Sequence, residues 1–423
     1  MFLLETTLAL WTGHPYDMQV WFQTGTWMNQ GINIYQPNNH LGYPPLWALW
    51  CLVSYRTFLF FGNATATWRL VIKLPIILAQ LACAFAVGAF TANRFGKKTA
   101  VTVTVVTLTW AFFVYIGAIW GQIDTISALL TFLAFYAIVT KQKLASALLL
   151  GFAIALKLYP IVILPAFFIY ILKNWNLREA GKYVLYACAV PAIVTFAIFG
   201  AYRWDATYFL KTIFYSTPVF TTNPTQINEG CMNFFSFITL QNRTQNILPA
   251  LRLLWIPSLT GASISWWKKP NMDEIGLTVS IISLYIVFML TYAWVTEQTF
   301  LDVLPFIFIL IFAYRPKRVY LYLTLITQIL VFIFTIANQT LQVFTPMLQL
   351  YWPVGLNGLQ NLYLKHAAFI WTLRGTMGLI VSLSLIVLLV FILFPALAEK
   401  LENPRRNVNN KVRRKPETQI SRS

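Results

Sequence analysis

The sequence predicts an all-α polytopic membrane protein, a helical bundle of about 11–12 transmembrane helices with long loops on one face. Three observations predict it. Of 423 residues, 58% are hydrophobic and only 10% charged, and the mean hydropathy is +0.64, which exceeds the apolar content of a soluble core. The apolar runs approach the ~20 residues a spanning helix needs, twice the ~10 of a barrel strand, and backbone at membrane depth must be hydrogen-bonded internally. The lysines and arginines behind the net charge of +18 gather in short clusters between those runs. Such clusters orient a chain in the bilayer, and no nucleic-acid partner is expected.

In chain order, residues 1–12 are apolar but too short to span, and no basic flank marks a signal peptide. Residues 13–66 form a polar, aromatic, proline-marked outer segment. Within it, 46–61 reads as a helix lying at the outer interface, because a crossing there would put Arg94, Lys97 and Lys98 outside. Crossings are predicted near 67–92, 99–119, 122–140, 182–201, 246–265, 275–295, 299–314, 318–337 and 367–396. Basic segments flank 144–172 on both sides, so this run goes out and returns as two short helices meeting at Lys157-Leu158-Tyr159-Pro160. The segments 202–245 and 338–366 are further outer loops. Residues 1–398 make one transmembrane domain, and 399–423 a basic, disordered cytoplasmic tail. Long loops on one face alone put the work on that face.

The inner segments carry Arg94, Lys97, Lys98, Lys141, Lys143, Lys173, Arg178, Lys182, Lys268, Lys269, Arg315, Lys317 and Arg318. The outer ones carry Arg56, Arg69, Arg203, Lys211, Arg243 and Lys365, the asymmetry that topology demands. The four cysteines show no CxxC or metal spacing; Cys83 and Cys188 read as packing residues, and nothing supports a disulfide between the outward-facing Cys51 and Cys231.

Outer acid–base chemistry must draw on Glu5, Asp17, Asp124, Asp205, Glu229, Glu297 and Asp302 together with His14, His40 and His366. Asp17 stands closest to the lipid boundary, among Tyr16, Trp21, Trp27 and Tyr35, whose faces suit sugar rings; its alternative role is to cap a helix over 18–30. In Trp120-Gly121-Gln122-Ile123-Asp124 the carboxylate is either a helix cap or part of a site. Lys157, an ammonium in an apolar run, needs either a lipid phosphate or a carboxylate such as Asp124. Glu297 marks an outer helix end as a structural or supporting acid. His14 and Asp17 at i, i+3 could share a metal, but two ligands are weak evidence, and no phosphate loop occurs.

Four blocks, in order, resemble a known family: YDMQVWFQTGTWMNQGINIYQ…GYPPLWALW, WGQIDTISALLTFLAFY, ALKLYPIVILP and YAWVTEQTFLDVLPF. The chain is similar to GT-C glycosyltransferases, which use polyprenyl-phosphate sugars. Its nearest likeness is to the catalytic subunit of the first mannosyltransferase of GPI-anchor synthesis and to bacterial polyprenol-phosphate-mannose-dependent mannosyltransferases. The resemblance implies an inverting hexosyltransferase with Asp17 as general base and Asp124 and Lys157 in the lipid-phosphate and sugar site. The full substrate-binding set is His14, Tyr16, Tyr43, Trp120, Gln122, Asp124, Lys157, Tyr159 and Glu297. Expected partners are a polyprenyl-phosphate-linked sugar, a glycolipid or glycan acceptor and membrane lipids, with room for a small membrane subunit. No cofactor is obligatory and a divalent metal is left undecided; relatives often carry two acids in the first loop where only Asp17 stands here, which counts against a metal-assisted variant. The plasma membrane is the expected location, the endoplasmic reticulum the alternative. A flippase for a lipid-linked sugar is the rival reading, weakened by the lack of an internal repeat.

Overall fold

The computed structural model describes residues 1–36, 39, 41–211, 231–241, 251, 253–293, 295–339 and 342–402. His40, Glu229, Arg243 and most of the predicted tail lie outside them; residues 399–402, assigned to the tail, instead end a helix over Pro395–Glu402. All regular structure among the described residues is helical.

The chain opens with α1 (Phe2–Trp11), α2 (Pro15–Asn29) and α3 (Leu46–Phe60), each too short to cross a membrane alone. Gly25 lets α2 lie directly on α3: a Cβ there would stand 2.4 Å from the Cys51 carbonyl oxygen. Then α4 (Thr65–Phe95) runs the depth of the bundle and packs against α1, α3 and α5 (Lys97–Thr109). The predicted crossing over 99–119 is broken. Trp110 adopts extended backbone, and the axis turns by 41° into α6 (Ala111–Val114), which widens into a π turn over Tyr115–Trp120. The β-branched run Val101–Thr109 is a weak helix former, and Trp110 anchors the bend by donating its Nε1–H to Gln328 Oε1 at 3.0 Å.

Next come α7 (Asp124–Val139) and α8 (Lys143–Leu156). A 3₁₀ turn over Tyr159–Ile163 leads into α9 (Leu164–Asn174) and α10 (Leu177–Tyr202). Two short helices thus meet at the Lys157–Pro160 corner, as predicted. Helices over Trp255–Trp267, Glu274–Thr291, Phe300–Ile309, Arg318–Gln339 and Ala367–Leu393 complete the bundle. By length and composition six described helices can cross a membrane, seven if the bent pair counts as one span. Of the other predicted crossings, 122–140 and the pair over 144–172 fall on shorter apolar helices of 10–17 residues, and 246–265 overlaps the 13-residue helix Trp255–Trp267.

The bundle has two chemically distinct ends. At one, the Arg94 guanidinium forks onto Glu274 at 3.0 and 3.1 Å, Lys143 pairs with Glu179 at 2.5 Å, and Lys317 with Glu399 at 2.8 Å. Between the ends, Phe90, Phe132, Phe135 and Phe306 interlock through ring contacts of 5.4–5.9 Å. All four cysteines are free, and Cys188 is exposed on α10 rather than packed inside, because that helix buries little of its surface.

Candidate active site

The other end gathers the polar residues that the apolar helices leave over. Asp17 lies in the first turn of α2; His14, not Asp17, takes the cap position, and Pro15 comes next at the first helical residue. Trp120 enters from the last residue of the π segment and Gln122 from the turn after it. Gly121 makes that turn possible at φ +99°, where a side chain would be strained.

One Asp17 oxygen, Oδ2, receives three donors. Trp120 Nε1–H and Gln122 Nε2–H each donate at 2.6 Å, and His14 Nδ1 stands 3.0 Å away. The other oxygen, Oδ1, has no hydrogen-bond partner among the described residues, and the side chain keeps 13% of its exposure. Asp17 is therefore oriented through one oxygen and open through the other.

Behind it, His14 stacks on Trp120 with ring centroids 4.7 Å apart and turns Nε2 to Gln339 Oε1 at 2.6 Å. Gln339 is fixed in that sense because its amide nitrogen donates to Glu297 Oε1 at 3.5 Å, and a carboxylate only accepts. Nδ1 also lies 3.4 Å from the Asp17 backbone N–H, a bond that only a neutral ring could accept. The shorter contact with the carboxylate is charge-assisted when Nδ1 carries a proton, and the charged ring is the form that Asp17 favours. Burial works against that charge. The hydrogen bond and charge of Asp17, the Gln339 bond and the charge of Glu297 outweigh it and raise the His14 pKa above 6.5. Burial likewise pushes the Asp17 carboxyl up, but His14, Trp120 and Gln122 overcome it and hold the group below its ordinary value. Glu297 is buried and also accepts from Asn338 Nδ2 at 3.2 and 3.4 Å, and Asn338 Oδ1 accepts from Arg374 at 2.9 Å.

A second cluster adjoins the first. Lys157, at the end of α8, donates to both oxygens of Asp124 at 2.8 Å, and the Tyr159 hydroxyl also donates to Asp124. Of the two partners foreseen for Lys157, the carboxylate is the one it holds here. Asp124 opens α7 without capping it. Tyr43 joins the clusters: the Lys157 ammonium sits 5.3 Å from its ring centroid. Burial raises the Tyr43 phenol well above its ordinary value, with the Asp17 and Asp124 carboxylates adding to the effect.

The structure thus brings the nine predicted binding residues together around Asp17. Tyr16, 61% exposed, stands at the rim, where its hydroxyl still feels the Asp17 charge. Two of the expected sugar platforms are core residues. Trp21 is fully buried against Trp47, facing inward from α2, and Tyr35 is buried against Phe199 from a turn between α2 and α3. Among the described residues no three His, Cys, Asp or Glu converge to hold a metal ion, and His14 and Asp17 spend their facing atoms on each other.

Sequence reasoning missed Lys73, Gln339, Asn338 and Arg374. Lys73 is an ammonium in the apolar run Leu70–Leu78, the signal that singled out Lys157. Asn338 begins a glycosylation triplet, yet its Nδ2, the atom a glycan would occupy, donates to Glu297. Asp302, one turn beyond Glu297, is buried with neither carboxyl oxygen hydrogen-bonded.

The sequence model of glycosyltransferase family 87 matches residues 41–335, more than half of the chain. The match includes Trp120, Asp124, Lys157 and Glu297, and begins after Asp17. No curated protein matches. A solved structure, that of ArnT from Cupriavidus metallidurans bound to undecaprenyl phosphate, is similar with a TM-score of 0.50 at 13% identity, over 95% of this chain and 77% of that one. The likeness establishes the GT-C fold.

Proposed function

From the premise that the chain belongs to glycosyltransferase family 87, we propose that it is an inverting membrane glycosyltransferase. In this reading it moves a hexose, mannose in first place, from a polyprenyl-phosphate carrier to a hydroxyl of a glycolipid or glycan at the outer surface of the plasma membrane. Family membership favours the enzyme over the flippase. The carrier class is supported by the undecaprenyl phosphate bound to the structure of similar fold. Mannose rests on the four sequence blocks alone.

One observation carries the mechanism: Asp17 is locked through Oδ2 and open through Oδ1. The acceptor hydroxyl approaches Oδ1 and gives it its proton. The acceptor oxygen forms its bond to the anomeric carbon as the bond from that carbon to the phosphate oxygen breaks. The electron pair leaves with the polyprenyl phosphate, and attack opposite the leaving group inverts the configuration. Lys157 has three N–H groups and gives two to Asp124, which leaves one for the departing phosphate. The leaving group is a phosphate monoester of about −1.5 to −2 charge, of which one ammonium offsets about half, and the reaction as proposed invokes no obligatory metal.

The test is transfer by purified protein in detergent, with EDTA present, from a synthetic mannosyl-phosphoryl-polyprenol to an extracted glycolipid pool. A flippase gives no product there. General-base catalysis is worth about 10²–10⁴-fold, so Asp17→Asn should slow turnover by that order while eluting as a folded particle. Near-wild-type transfer by that variant removes Asp17 from the role. In the same assay Lys157→Ala should raise the donor KM, and an unchanged KM removes Lys157 from the phosphate.

A further inference from the structure

Lys73 is fully buried in the third turn of α4 and takes part in none of the ion pairs formed by the described residues. Its ammonium sits among five oxygens, none of them a carboxylate. They are Thr12 O at 2.8 Å, Ala118 O at 2.9 Å, Ile119 O at 3.0 Å, Thr12 Oγ1 at 3.3 Å and Ala9 O at 3.4 Å. Ala9 and Thr12 close α1; Ala118 and Ile119 close the π turn. A helix leaves its last carbonyls unpaired, with the negative end of its dipole there. Two such ends converge on one cation, which offsets the cost of burying a charge without a counter-ion.

Both clamped ends lead directly into the site. Past Thr12 the chain delivers His14 and Asp17; past Ile119 it delivers Trp120 and Gln122, the donors that orient Asp17. Neighbouring bonds tie the same segments, with His14 N–H donating to Trp120 O at 3.2 Å and Arg69 Nε–H to Leu10 O at 2.9 Å. The lysine stem fills the space under the Gly121 turn, where a Cβ would come within 2.9 Å of Lys73 Cε.

We propose that Lys73 is a positioning residue for the transfer: by clamping the carbonyl ends of α1 and of the π turn together, it sets the distance between Asp17 and the indole and amide that aim it. This rests on the reading of Asp17 as the base. It differs from a purely architectural role in requiring that the loss act through Asp17. A misplacement of ~1 Å at a reacting group costs on the order of 10²-fold in rate.

The experiment is a double-mutant cycle on the full chain in detergent, with Lys73→Met, Asp17→Asn and the double variant. Lys73→Met should lower kcat by about 10–100-fold with the donor KM within about twofold of wild type, and the double variant should be no slower than Asp17→Asn alone. Because Lys73→Met can fail to fold, Lys73→Gln, which keeps an N–H donor on a shorter stem, is measured in parallel. It should lower kcat by about 10-fold at unchanged donor KM. Wild-type kcat in whichever of the two folds, or a double variant as slow as the product of the single losses, overturns the proposal. A slow Asp17→Asn with a fast Lys73→Met sinks the clamp alone; a fast Asp17→Asn sinks the base assignment and the clamp with it.

Discussion

At the scale of single residues, the Asp17–His14 pair makes the site sensitive to pH in a direction the geometry fixes. Asp17 has its pKa lowered, so its share of the pair is present above the ordinary carboxyl range of about 4 and is lost as pH falls through the depressed value. His14 has its pKa raised, so its share is complete below about 6.5 and is lost as pH rises through the elevated value. The pair is strongest between those limits. His14→Gln removes the opposing charge and leaves the burial of Asp17 less compensated. The acid limb of kcat/KM should then move to higher pH, with a smaller loss at pH 7 than at pH 5, as a pH–rate profile of both proteins will show. An unmoved limb means that His14 does not set the ionisation of the base. Asp124 and Lys157 were legible in the sequence as charges that an apolar setting must explain, and Asp17 as the acid beside the lipid boundary in a polar, aromatic segment. Gln339 and Arg374 were not, since they belong to a chain of contacts through Glu297 and Asn338 that spacing does not encode. Lys73 escaped for a related reason: its partners are backbone carbonyls, which leave no mark in the sequence of side chains.

At the scale of elements, helix positions were legible to within a few residues where a run was long and bounded by charge. The predicted 67–92 is observed as Thr65–Phe95, and 318–337 as Arg318–Gln339. The break at Trp110 was hidden, because neither proline nor glycine marks it and the apolar run continues through it. The α8–α10 contact has a sequence signature: Ala147, Gly151 and Ala155 recur every four residues, the small-residue stripe that lets membrane helices approach closely. A Cβ on Gly151 would lie 2.7 Å from Val190 Cβ and 2.8 Å from the Ala187 carbonyl oxygen, so α8 could not stay in place. Gly151→Leu should therefore cost on the order of 1–3 kcal/mol or more, read as a lower thermal midpoint in detergent. Since α8 ends at Lys157, the same variant should also weaken donor use. A midpoint equal to wild type would mean that the two helices are not in contact along this stripe.

For the whole molecule the informative feature is polarity along the bundle axis. Asp17, Gln122, Asp124, Lys157, Glu297 and Gln339 belong to different elements, yet all fall at the ends of helices that meet on one side. Arg94, Lys143, Lys317 and their acidic partners fall at the opposite ends of the same or adjoining helices. A bilayer wraps only the apolar middle, so the two groups face two compartments, and in the reading proposed above the excess of Lys and Arg orients the second toward the cytoplasm. The site then opens on the far side, where a carrier lipid in that leaflet can bring its head group level with the short helices α1–α3. Two single cysteines in an otherwise cysteine-free protein decide this. Asn63 lies in the exposed turn after α3 at the site end, and Lys98 is exposed at the start of α5 at the basic end. In intact cells a membrane-impermeant maleimide should label the Asn63→Cys protein and spare the Lys98→Cys protein until the membrane is opened. The reverse pattern would put Asp17 on the cytoplasmic side, and both the outer-leaflet donor and the direction of transfer proposed for it would have to be abandoned.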